Sequence, residues 1–97
     1  MSISFEGLCD LAETCLSTVE GLDPDIEEIG ADALEAGEPD IPIAIALGIA
    51  RDRPELYSRF PDKVLELAKD PSWKAIHPYL GLLEQHREGE TPREQRR

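Results

Sequence analysis

Between Asp40 and Arg51 lie ten residues, Ile41 to Ala50, without a single charged side chain. In a chain that is 32% charged, such a stretch belongs in a core, and the rest of the fold has to cover it. Read as a strand, it would alternate isoleucine with alanine, but alanine, Gly48 and Pro42 are poor strand residues. Read as a helix, it is apolar on every side and takes the middle of a bundle. Pro42 is compatible with that helix because it falls in the first turn, with Asp40 as the cap. The segment is about half the roughly 20 residues needed to cross a bilayer, so no membrane span is expected.

The flanking sequence supplies the cover. A helix is predicted from about Ser4 to Glu20, with Ser2 or Ser4 as its cap and Gly21 as its stop. Phe5, Leu8, Cys9, Leu11, Ala12, Cys15, Leu16 and Val19 fill one arc of its wheel, and Glu6, Asp10, Glu13 and Glu20 lie opposite. Asp23-Pro24 opens a second helix, which runs to about Ala36 and stops at Gly37. Ile26, Ile29, Ala33 and Ala36 share one face of it, with Leu34 at the margin. Glu27, Glu28, Asp32 and Glu35 share the other.

Beyond Asp52 prolines set the rhythm. Asp52-Arg53-Pro54-Glu55 reads as a helix start followed by a short turn through Phe60. Pro61 restarts a helix through about Lys69, contributing Val64, Leu65 and Ala68. Asp70-Pro71 starts the last element, with Trp73, Ile76, Leu80 and Leu83 as its stripe, and Pro78 either kinks it or begins another helix. Residues 87–97 contain no apolar side chain and read as a mobile polar tail, leaving one domain over residues 1–86. Pro24-Asp-Ile, Pro39-Asp-Ile and Pro54-Glu-Leu recur at a regular spacing, which a chain of short helices produces without any repeat origin.

The expected fold is a single all-α domain of about five short helices, packed as an irregular orthogonal bundle or as stacked helical hairpins. Phe5, Tyr57, Phe60, Trp73 and Tyr79 are the only aromatics, so the core must be built mainly from Leu, Ile, Val and Ala. Leu8, Leu11, Cys15, Val19, Ile29, Leu34, Ile43, Leu47, Leu65, Trp73, Ile76 and Leu80 are the residues expected to be buried.

Catalytic and metal chemistry find little support. Asp23-Pro-Asp25-Ile-Glu27 mimics the opening of a calcium loop, but Glu28 stands where that loop needs Gly and Leu34 where it needs Glu. His77 and His86 are nine residues apart, and no CxxC, HxxxH or HExxH occurs. His77, at the edge of the Trp73 stripe, reads as a hydrogen-bonded histidine at the core margin. Cys9 and Cys15 point away from each other on their helix, so they are read as two buried, unreactive thiols of a reducing compartment. No phosphate-binding loop, GxSxG or dinucleotide fingerprint is present. No catalytic residue, metal or cofactor is therefore expected. The opening Met1-Ser2-Ile3-Ser4-Phe5-Glu6 has neither a basic n-region nor an apolar run, so a cytoplasmic location is expected.

Charge is segregated along the chain. Residues 1–50 hold twelve acids and no Lys or Arg, whereas residues 51–97 hold nine acids and all ten bases. The halves thus carry −12 and +1 of the net −11. A nucleic-acid binder would show the opposite sign, so direct contact with phosphates is not expected. Solubility alone would account for net charge but not for segregation, because like-charge pairs such as Glu28 with Asp32 and Glu6 with Asp10 cost about 0.2–0.5 kcal/mol each. The expectation is a non-catalytic interaction module that presents Glu6, Asp10, Glu13, Glu27, Glu28, Asp32 and Glu35 to a basic protein partner. In general character such a chain resembles the bacterial immunity proteins and antitoxins that cover a basic toxin or nuclease. Two alternatives stand beside it: a nucleic-acid mimic whose carboxylates occupy a DNA-binding groove, and an enzyme or enzyme subunit with an unrecognised cleft.

Overall fold

The backbone follows its own stop signals. In a computed structural model, which describes residues 3–90, the described chain is all-α: α1 (Phe5–Thr18), α2 (Pro24–Glu35), α3 (Asp40–Ile49), α4 (Asp62–Ala68) and α5 (Leu80–Glu90), with 3-10 turns at Ala50–Asp52, Pro54–Arg59 and His77–Tyr79. Ser4 caps α1, its hydroxyl accepting the Gly7 N–H at 3.0 Å. Gly37 ends α2 at a φ of 86°, a region that side chains with a Cβ avoid. There the Gly37 N–H donates to the Leu34 carbonyl and the Glu38 N–H to the Ala33 carbonyl, both at 3.0 Å, closing a Schellman motif.

Helix α3 packs against both α1 and α2, the central position its composition required. Ile43, Ala46, Leu47 and Ala50 have no exposed surface. It is not buried all round, however, since Ile41, Ala44, Ile45 and Gly48 are only half-buried along one side. Its start also differs from expectation. Pro39 occupies the N-cap position without a side-chain cap, and Asp40 is already the first helical residue.

The second half braces this core. Tyr57 and Phe60, in and just after the longest 3-10 turn, are almost completely buried, together with Val64, Ile76 and Leu83. The Tyr57 hydroxyl donates to the Leu47 carbonyl at 2.8 Å, satisfying a carbonyl in the last turn of α3 that the shift to 3-10 geometry would otherwise strand. The His86 ring stacks on Tyr57 at 5.5 Å between centroids, which ties α5 to that turn. Trp73, Leu80 and Leu65 pack against the core but are half-buried rather than buried.

Two expectations for this half are corrected. The helix start read at Asp52-Arg53-Pro54-Glu55 opens no α-helix: the short turn through Phe60 is a 3-10 turn, Pro54–Arg59. Asp70-Pro71 does not start a helix: the Asp70 carboxylate accepts the Ser72 backbone N–H (2.9 Å) and hydroxyl (2.7 Å), making a turn. Those two bonds hold the Asp70 carboxyl below its ordinary range. The final helix begins only after Pro78 and reaches Glu90, and the rest of the expected tail, residues 91–97, lies outside the described residues.

Candidate functional site: an acidic trough between α1 and α2

Helices α1 and α2 are joined by the short turn at residues 19–23 and pack against each other. Between them runs a trough formed by two adjoining depressions that share Glu13, Leu16 and Ala31. The first, about 620 Å³, is lined by Cys9, Glu13 and Leu16 from α1 and by Asp32, Leu34 and Glu35 from α2. The second, about 430 Å³, adds Glu20 from the turn after α1 and Glu27 and Glu28 from the start of α2.

The trough therefore has an apolar floor and carboxylate rims. Glu28 and Glu35 are seven residues apart on the α2 wall, which places them about 10 Å apart along the helix, and Glu13 with Glu20, in the turn just after α1, forms the other wall. All four are exposed, as is Asp32 between Glu28 and Glu35. Arg53 pairs with Glu55 and Lys63 with Glu66, both in the second half, and no base among the described residues lines the trough.

The seven carboxylates singled out from the sequence divide into three groups. Glu13, Glu28, Asp32 and Glu35 come together on the rims. Glu6 and Asp10 are exposed on α1 but line neither depression. Glu27 is half-buried, and both of its oxygens are engaged: one accepts the Gly21 N–H at 3.0 Å, the other the Asp23 N–H at 2.9 Å. With the Asp23 side chain accepting the Ile26 N–H at 3.4 Å, this forms a reciprocal cap for α2. Two of the three carboxylates that mimic a calcium loop, Asp23 and Glu27, are thus occupied with backbone donors. Glu20 is the rim residue missing from the expected face. Its place on the acidic side of α1 signalled its chemistry, but only the close approach of α2 makes it a rim.

Two further sequence readings change. Ile29 is 55% exposed, not buried, because α2 meets its neighbours through Gly30 rather than through the isoleucines. A Cβ on Gly30 would lie 3.1 Å from a Leu16 methyl and 3.5 Å from an Ile45 methyl, so the glycine permits the close approach of three helices. Cys9 is half-buried and faces the trough, whereas Cys15 is fully buried and both thiols are free. Burial pushes the Cys15 thiol up to about 12, which removes it as a nucleophile near neutral pH.

His77 is half-buried, and its Nδ1 donates to the Ala68 carbonyl at 2.7 Å, a role at the core margin. Among the described residues no group of three or more His, Cys, Asp or Glu is placed to hold a metal ion. No helix among them is long and apolar enough to cross a membrane. No protein-family model matches the chain, and neither curated proteins nor solved structures give a match.

Proposed function

We propose that this protein is a non-catalytic interaction module of the cytoplasm that docks its acidic α1–α2 face on a basic protein surface. The observation that carries this reading is the trough: five exposed carboxylates, Glu13, Glu20, Glu28, Asp32 and Glu35, rim an apolar floor with no base among the described residues to relieve them. Holding them together costs like-charge repulsion in the free protein, and a cationic partner removes that cost on binding. Rim carboxylates of this kind speed encounter and fix orientation, while the floor of Leu16, Ala31 and Leu34 provides apolar contact. Direct binding to nucleic acid is disfavoured by the same charges. Glu6 and Asp10 extend the field along α1 without lining the trough.

The test is affinity capture with the wild-type chain and with a Glu28→Lys/Asp32→Lys variant as bait, washed at low and at high salt. The reading expects a basic protein held by the wild type at low salt, released at high salt and not held by the variant. A partner retained equally by both baits would refute it.

A further inference from the structure

Helix α2 has a second working side. On the flank away from α1, Leu22 is 40% exposed, Ile26 38% and Ile29 55%; apart from Phe5 these are the large hydrophobics most open to water among the described residues. Ile26 and Ile29 stand on one helical stripe of α2, which Ala33 continues, and Leu22 lies just ahead of the Asp23 cap. Leu22 and Ile26 also form the lip of a groove of about 560 Å³, whose floor is the half-buried side of α3: Ile41, Ala44, Ile45 and Gly48. Those four stand at the i, i+3, i+4, i+7 spacing of one side of α3. Two parallel rows of ridges, one from each helix, form the surface onto which a third helix packs.

We propose that this α2–α3 groove seats an amphipathic, cationic helix of the partner protein, its apolar stripe on Ile26, Ile29 and Ile45. The inference rests on the docking reading for the partner's charge and adds the shape of its docking element. Charge decides among occupants. Asp23 and Asp52 line the groove, and Asp25 and Asp32 flank Ile29 on α2. The two bases at its end are already engaged: Arg53 pairs with Glu55 at 3.7 Å, and the Arg51 guanidinium lies 5.7 Å from the centre of the Tyr79 ring. A second copy would bring Asp25 and Asp32 against their own counterparts on a half-molecule that already carries twelve acids and no Lys or Arg. A helix bearing lysine or arginine beside its apolar stripe meets the isoleucines and the acids together.

The test uses a fluorescent synthetic helix of leucine and lysine, with the leucines confined to one face. It is titrated against the full chain by anisotropy, next to a scrambled peptide of the same composition and a leucine–glutamate helix. The expected result is saturable binding of the leucine–lysine helix alone. Ile26→Ser and Ile29→Ser should each weaken it about tenfold, the factor that roughly 1.4 kcal/mol represents, without lowering the melting temperature. Equal binding of the scrambled peptide, or no effect of the serine substitutions, overturns the groove as a helix seat. If Glu28→Lys with Asp32→Lys still abolishes binding in that case, the docking reading survives alone. If the leucine–glutamate helix binds equally well, the cationic partner falls. A free chain that sediments as a dimer, and as a monomer once Ile29 is serine, makes a second copy the occupant and overturns the proposal.

Discussion

The two halves of this molecule treat their apolar residues in opposite ways. In the first, Phe5, Leu22, Ile26 and Ile29 are left open to water beside carboxylates of a single sign. In the second, nearly neutral half, Tyr57, Phe60, Ile76 and Leu83 are all but completely buried, and acids and bases are mixed, with Arg53 paired to Glu55 and Lys63 to Glu66. The contrast argues for a division of labour. The 3-10 turns, α4 and α5 brace α3 from one side, through Tyr57 at the Leu47 carbonyl. That bracing leaves α1 and α2 free to carry a surface that is poor for self-stability, with unrelieved repulsion and exposed isoleucine.

The contrast can be broken at its shared centre first. Leu47 has no exposed surface, and Leu47→Asp should unfold the domain outright, because an unpaired buried charge costs most of the roughly 5–15 kcal/mol available to a domain. A folded Leu47→Asp protein by circular dichroism would remove α3 from the core.

Alkali should then attack the core from both halves. Burial raises the Cys15 thiol from 9.0 and the Tyr57 phenol from 10.0, each to about 12. Both are held protonated in the fold and lose their protons more readily once unfolded. Their contribution is complete below about pH 9 and falls as pH rises, through Cys15 first and Tyr57 next, until about pH 12. Urea midpoints measured across that range should decline steadily, and a flat profile would place both groups at the surface. Tyr57→Phe, which strands the Leu47 carbonyl, should cost about 1–3 kcal/mol in urea unfolding at neutral pH.

Neighbouring acids on α2 sharpen the comparison further. Glu27→Ala removes the acceptor for two backbone N–H groups and should cost about 0.5–2 kcal/mol. Glu28→Ala, on the rim, should stay within about 0.5 kcal/mol of wild type in the same thermal melts. Equal losses at the two positions would erase the distinction between a capping and a docking carboxylate.

Much of the first half was legible because its signals are local. Ser4, Asp23-Pro24, Gly21 and Gly37 set helix ends by chemistry within a few residues, and the structure places those ends within two residues of the reading. The uncharged stretch at 41–50 declared its own burial. What stayed hidden depended on contact between elements. Periodicity marks the apolar side of α2, but Gly30, with no hydrophobic signature of its own, is where α2 is buried, so Ile29 turned outward. The trough could not be read because its walls belong to two helices. Tyr57 and Phe60 were lost among prolines, since a short 3-10 turn has no period long enough to show which side faces in.

The central claim, that the first half is the working surface and the second its brace, is tested most directly by amide chemical-shift mapping with the leucine–lysine helix added to the labelled chain. The account predicts shifts concentrated on Leu22 and the residues of α2, extending to Ile41–Gly48 and to Tyr79 at the groove's edge, with the rest of Pro54–Leu83 unmoved. Shifts concentrated in Pro54–Leu83, with α1 and α2 silent, would contradict it.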